Sequence, residues 1–180
     1  MECRIVDAAH AAALALPNDP FPVFGRLVPA LEDGAWRWSE ELLPPEEVTW
    51  MRFPEEAYTL GDGRTYLAAW DGPRCVGLAA LEPGGYRYLY VYDLKVARDC
   101  RRKGVGRLMM RRAMDCAQEQ GLRGLCLTVQ DNNLAACRFY LSLGFEIGGF
   151  DNRIYRGTAQ AGKADLTLYL DGDWAESGGD

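Results

Sequence analysis

The hydrophobic pattern of this chain changes period once, near residue 100, and that change constrains the fold more than any other feature. Before it, short strand-like runs are bounded by turn residues. Val23 to Leu31 and Trp36 to Leu43 flank Glu32-Asp33-Gly34-Ala35, and Thr65 to Trp70 and Cys75 to Leu81 flank Asp71-Gly72-Pro73-Arg74. Both pairs are predicted as β-hairpins, with Asp-Gly suited to a tight turn. From Pro44-Pro45 to Gly61-Asp62-Gly63 the chain reads as irregular or briefly helical. A longer strand from Arg87 to Val96 follows, its alternation placing Tyr88, Tyr90, Tyr92, Leu94 and Val96 on one face.

After the change, Val105, Leu108, Met109, Ala113, Cys116 and Ala117 recur at the spacing of an amphipathic helix, expected from Val105 to Gln120 and ended by Gly121. Leu125 to Val129 reads as a buried strand, Leu134 to Leu143 as a second helix stopped by Gly144, and Leu166 to Leu170 as a final strand. Four or five strands followed by helix, strand, helix and strand predict a mixed α/β (α+β) fold. The length of 180 residues suits one core, so a single domain over 1–180 is expected, with 171–180 a frayed tail.

Charge and composition narrow the partners. Asp and Glu number 26 against 20 Lys and Arg, a net charge of −6, which argues against a nucleic-acid partner. No apolar run approaches the roughly 18 residues of a membrane helix, and Ala8 to Leu16 is short and contains His10, so neither a membrane span nor a leader is expected and the cytoplasm is the default location. The six cysteines lack metal-type spacing and read as reduced, buried thiols. The lone histidine lies far in sequence from every motif below, which speaks against a Ser-His or Cys-His mechanism and against a metal site.

Within this acidic chain seven basic residues crowd into fifteen positions: Arg98, Arg101, Arg102, Lys103, Arg107, Arg111 and Arg112. Their centre, Arg101-Arg102-Lys103-Gly104-Val105-Gly106, falls between a strand end and a helix start. There the unpaired amides of the first turn and the positive end of the helix dipole meet, and glycines admit a phosphate to the backbone. A polyphosphate site is the physical expectation; a solvated basic helix face is the bland alternative. Neither a Walker A string nor G-x-G-x-x-G is present, since Met109 stands where the third glycine would be.

The remaining pattern, R-x-x-G-x-G, resembles the pyrophosphate signature of the GNAT acyl-CoA N-acyltransferases. A second string, Asn133-Leu134-Ala135-Ala136-Cys137-Arg138-Phe139-Tyr140 followed by Gly144-Phe145, is similar to the superfamily pattern N-x-x-A-x-x-F-Y-x-x-x-G-F. Core packing of Phe139 and Tyr140 is the alternative. Pro20 to Arg26, Tyr92-Asp93-Leu94, Gln130 to Tyr140 and Phe150 to Tyr155 resemble the streptothricin acetyltransferases, over about Pro20 to Leu170. This resemblance implies a GNAT fold: a central mixed, mainly antiparallel twisted sheet flanked by helices, with acetyl-CoA in a cleft between the two central strands. It implies transfer of acetyl to an amino group on the β-lysine arm of streptothricin, or, by the same chemistry, to an aminoglycoside, a polyamine or a protein amino group. A catalytically silent CoA-binding module is a further alternative.

The residues carried over are Leu94, Lys95, Val96, Arg101, Arg102, Lys103, Gly104, Val105, Gly106, Arg107, Asn133, Ala136 and Tyr140 for the cofactor, with no metal. Asn133 would pair with the pantetheine arm, backbone near Val96 would meet the developing oxyanion, and Tyr140 would protonate the leaving thiolate as general acid. An amine with pKa near 10.4 is neutral in roughly one molecule per few thousand at pH 7, a burden of about 4–5 kcal/mol. Where the related enzymes have Glu-Asp-Ile this chain has Tyr92-Asp93-Leu94, so Asp93 is read as base or amine anchor, with a water chain as the equal alternative and pairing with Lys95 or an arginine as the structural one. Tyr92, Trp36, Trp38, Glu40, Glu41 and Tyr155 are the remaining acceptor-site residues, suited to a cationic ligand, though the tryptophans would serve equally as hairpin packing. A homodimer is left open.

Overall fold

The computed structural model describes residues 1–85 and 87–172. In chain order its strands are β1 (Glu2–Ile5), β2 (Phe21–Val23), β3 (Gly25–Glu32), β4 (Ala35–Leu42), β5 (Thr49–Met51), β6 (Thr65–Asp71), β7 (Arg74–Pro83), β8 (Tyr88–Val96), β9 (Gly124–Gln130), β10 (Glu146–Asp151) and β11 (Asp165–Asp171). Among the described residues two α-helices, α1 (Val105–Glu119) and α2 (Leu134–Ser142), and three 3-10 segments, including Ala8–Ala15, complete them. Among the described residues no helix is long and apolar enough to cross a membrane.

The chain divides into two compact units, one of residues 1–20, 52–126 and the segment from 171, the other of residues 21–51 and 127–170. In the first unit the strand order is β1-β6-β7-β8-β9, antiparallel up to β8 and parallel between β8 and β9. Helix α1 packs on β1, β6, β7 and β8 through its apolar stripe, with Met109, Met110 and Ala113 buried. Gly77 permits the close approach: a Cβ there would lie 2.6 Å from Met109 Sδ and 3.1 Å from Val105 Cγ1. The opposite face is covered by the Ala8–Ala15 segment, whose Ala13 and Leu14 join Val6, Tyr66, Ala68, Leu78 and Ala80 in a second core cluster.

The long strand departs from simple alternation. Leu81 pairs with Val91 and Ala80 with Asp93, so Tyr92 is an extra residue, a β-bulge. Because Ala80 and Leu81 point to opposite faces, so do Val91 and Asp93. Leu89 and Val91 therefore share the α1 face with Leu94 and Val96, whereas Tyr88 and Tyr90 share the other with Asp93 and Lys95. The expected single row from Tyr88 to Val96 is broken at the bulge. With β9 the ladder covers only three pairs, Tyr88–Gly124, Leu89–Leu125 and Tyr90–Cys126.

In the second unit the order is β9-β11-β10, accompanied by the hairpin β3–β4 and the short pair β2–β5. The β3–β4 turn has the expected form, with Glu32 opposite Ala35 and positive φ at Asp33 (51°) and Gly34 (77°). The hairpins, α1, α2, β9 and β11 lie where the pattern predicts, within one or two residues. Strands β1, β2, β5 and β10 are additional. Asp171 ends β11, its carboxylate held by Arg123 and the Tyr88 hydroxyl, and Gly172 donates to Arg123 O, so the first two residues of the expected tail are tied down; residues 173–180 of that tail lie outside the described residues.

Candidate acetyl-transfer site

In the first unit, a 3-10 turn (Arg98–Cys100) and a tight turn lead from β8 into α1. Gly104 caps the helix at φ 83°, a backbone that favours glycine, and a Cβ there would meet nothing within 4 Å. Intrahelical bonding begins with Leu108 N–H on Gly104 O, so the amides of Val105, Gly106 and Arg107 precede it at the positive end of the helix. Open space before a glycine cap and these amides fit a polyphosphate. Arg102 and Lys103 are exposed beside it.

Arg101, expected to contact phosphate, is engaged by the protein itself. Its guanidinium donates to Val96 O (3.1 Å), Pro20 O (2.7 Å) and Asp19 O (3.0 Å), which commits it to bracing the loop against the segment that ends at Pro20. Asp19 adds a carboxylate oxygen to the Arg98 N–H at 2.7 Å. Arg112 likewise pairs with Asp115 and Glu119. The basic run is thus partly scaffold.

On β8, Asp93 and Lys95 share one face, and the bulge before them puts that face on the side of Tyr88 and Tyr90. Lys95 is 6% exposed; its Nζ lies 3.6 Å from Asp93 Oδ2, 3.4 Å from Leu16 O and 5.0 Å from the Tyr58 ring centroid. Lys95 therefore offers a cofactor its backbone only. Tyr58, which pattern reading missed, donates to Asp93 Oδ2 at 2.7 Å. Burial, then the Asp93 hydrogen bond, pushes the Tyr58 phenol well above its ordinary value. Tyr92 projects at the bulge, its hydroxyl on Glu56 (2.9 and 3.2 Å) and its ring under the Arg64 guanidinium, 3.8 Å away. Arg64 also binds Glu56 and Glu82. Glu56, Tyr58 and Arg64 lie in or beside an aperiodic stretch, so no spacing marked them.

In the second unit, Asn133 caps α2, its Oδ1 accepting from Ala136 N–H at 3.3 Å. That leaves the Nδ2 donor as the part of the side chain suited to a pantetheine carbonyl. Tyr140 lies on α2, 8% exposed, with its ring 5.1 Å from Phe139 and 5.4 Å from Phe145. Its ring is core, as the alternative had it; the role of its hydroxyl is taken up below. Glu40 is bound by both nitrogens of an Arg138 fork, which holds its carboxyl below the ordinary range. Glu40 is thus engaged within the protein, contrary to its expected availability to an acceptor; Glu41 and Trp38, 48% exposed, remain exposed on β4, while Trp36 is half-buried. Tyr155 donates to Asp165 (2.8 Å) and accepts from Gln130 (2.8 Å), a network that occupies its phenol.

The cysteines are free thiols; burial pushes Cys137 up to about 12 and Cys3 and Cys126 up to about 11, so they stay protonated. His10 pairs with Asp7 at 2.6 Å and packs edge-on against Trp70, away from β8 in sequence.

Comparison with known proteins extends these observations. The chain is 31% identical over 157 residues to streptothricin acetyltransferase A of Bacillus subtilis (strain 168), covering 85% of this chain and 90% of that one. It is 37% identical over 110 residues to a streptothricin acetyltransferase of Streptomyces lavendulae, covering 61% and 58%. The fold superposes with a TM-score of 0.85 and 26% identity, over 94% of this chain and 98% of the other, on a crystal structure from Bacillus anthracis str. Ames described as a streptothricin acetyltransferase in complex with acetyl coenzyme A. The family model described as Acetyltransferase (GNAT) family matches residues 31–145. With its mixed sheet, glycine-capped helix and two sequence strings, the chain belongs to the GNAT acetyltransferase family.

Proposed function

We propose that the enzyme transfers acetyl from acetyl-CoA to an amino group of streptothricin, on its β-lysine arm, and so confers resistance to that antibiotic in the cytoplasm. The observation that carries this reading is the likeness to streptothricin acetyltransferase A over 85% of the chain. Support from the residues is independent: a carboxylate, Asp93, 27% exposed at the side chain and held by the Tyr58 hydroxyl, suits a cationic amine. The family match spans residues of both units, which supports one catalytic domain.

Acetyl-CoA supplies the activated thioester. Toward it the chain offers Arg102, Lys103 and the first-turn amides of Val105, Gly106 and Arg107 for the phosphates, with Gly104 keeping the approach open. The backbone of Leu94, Lys95 and Val96 and the Asn133–Ala136 turn serve the pantetheine arm. In the first unit Asp93 receives the amine; in the second, the resemblance assigns Trp38 to the acceptor and the Tyr140 hydroxyl to protonating the departing sulfur. Incubation with streptothricin and acetyl-CoA should yield a product heavier by one acetyl group, located on the β-lysine arm by fragment-ion mass spectrometry; unmodified antibiotic would overturn the reading.

A further inference from the structure

Resting on the amine-acetylation reading, we propose that Tyr58 is a positioning residue that holds Asp93 by one oxygen and leaves the other to anchor the acceptor's ammonium. The two oxygens of Asp93 are not equivalent. Oδ2 accepts the Tyr58 hydroxyl at 2.7 Å and faces Lys95 Nζ at 3.6 Å. Among the described residues Oδ1 accepts no hydrogen bond, and the side chain is 27% exposed. A carboxylate fixed through one oxygen presents the other in a defined direction, which an ammonium with three N–H donors can use.

The same contacts decide between anchor and base. The phenol proton and the Lys95 Nζ both lie on Oδ2, so Asp93 meets the acceptor through Oδ1, an oxygen suited to receiving an N–H. The phenol keeps its proton because burial and Asp93 itself raise its pKa, with Glu56 and Tyr92 pushing the same way. Arg64 is the other neighbouring cation, 5.9 Å from the Tyr58 ring centroid. Asp93 therefore binds the ammonium; one N–H proton goes to solvent water before attack, the freed lone pair forms the new C–N bond, and the thioester C–S bond breaks to release CoA as its thiol, the second N–H proton lost from nitrogen balancing the one gained by sulfur.

Tyr58→Phe removes one oxygen atom. It should raise KM for the amine by about tenfold, with kcat within about twofold and KM for acetyl-CoA unchanged. Asp93→Asn should also raise the amine KM, and Tyr58→Phe added to it should cost little more. A fall in kcat at unchanged amine KM in Tyr58→Phe, or additive effects in the double variant, overturns the proposal. A second measurement needs no turnover: by calorimetry without acetyl-CoA, Tyr58→Phe should bind streptothricin about tenfold more weakly than the parent, and an unchanged dissociation constant overturns it. If the parent acetylates no amine, the reading of the function falls and this binding measurement alone judges Tyr58.

Discussion

At the scale of single residues, two positions separate binding from chemistry. Gly104 combines a positive φ of 83° with empty space where a side chain would point. Valine there would be strained by about 1–2 kcal/mol and would fill the approach to the first-turn amides. Gly104→Val should therefore weaken acetyl-CoA binding at least about tenfold by calorimetry; an unchanged dissociation constant would show that no phosphate approaches this cap. Tyr140 is the converse case. Its ring is packed against Phe139 and Phe145, so phenylalanine keeps the packing and removes only the hydroxyl. Tyr140→Phe should lower kcat by about a hundredfold or more, with acetyl-CoA affinity little changed, as expected for loss of a general acid. Equal turnover in the two proteins would leave Tyr140 with a core role alone.

At the scale of elements, Gly25 and Asp165 test how the second unit is held together. A Cβ at Gly25 would collide with Glu41 O across the hairpin and lie 3.1 Å from Leu42 Cα, where only backbone movement gives relief. Gly25→Ala should cost about 1–3 kcal/mol and lower the thermal midpoint; an unaltered midpoint would contradict the β3–β4 register. Asp165 is raised by burial, with Asp151 and Asp131 adding to the rise and the Tyr155 hydrogen bond opposing it. A carboxyl whose folded value is raised contributes stability while protonated, fully below its unfolded value near 3.9, and loses it as pH rises through the folded value. Asn at 165 still accepts from Tyr155 and carries no charge. The thermal midpoint of Asp165→Asn should thus gain on the parent as pH rises toward about 7; a growing deficit would contradict this. Elements with strong period or punctuation were legible: the Asp33-Gly34 hairpin, α1 with its glycine at each end, and α2 with Asn133 before it. The bulge at Tyr92 was not, because a one-residue slip in pairing depends on Ala80 and Leu81 of the neighbouring strand. Strand β10 escaped because Gly148 and Gly149 interrupt its apolar run; the Gly148 position is bare because a Cβ would strike the Tyr169 ring.

For the molecule as a whole, the net charge of −6 conceals an uneven distribution along the chain. The basic residues at 98–112 frame the glycine-capped helix, although Arg101 braces a neighbouring segment and Arg112 pairs within α1, while Glu56, Glu82 and Asp93 gather around Tyr58, Tyr92 and Arg64. One chain thus carries a basic, glycine-capped helix start that suits a phosphate and a group of carboxylates and tyrosines that suits a cation. The reaction class was legible in two short strings because they encode contacts with a fixed cofactor. The acceptor side was only half legible: Asp93 and Tyr92 stand in a recognisable strand, but Tyr58, Glu56 and Arg64 reach them from an aperiodic segment. The most direct test of the account is the rate of CoA release from acetyl-CoA with streptothricin, measured beside an aminoglycoside, a polyamine and a peptide with a free amino terminus. The account predicts a kcat/KM for streptothricin at least about a hundredfold above the others. No release with streptothricin alongside efficient turnover of another amine, or tight acetyl-CoA binding with no turnover of any, would contradict it.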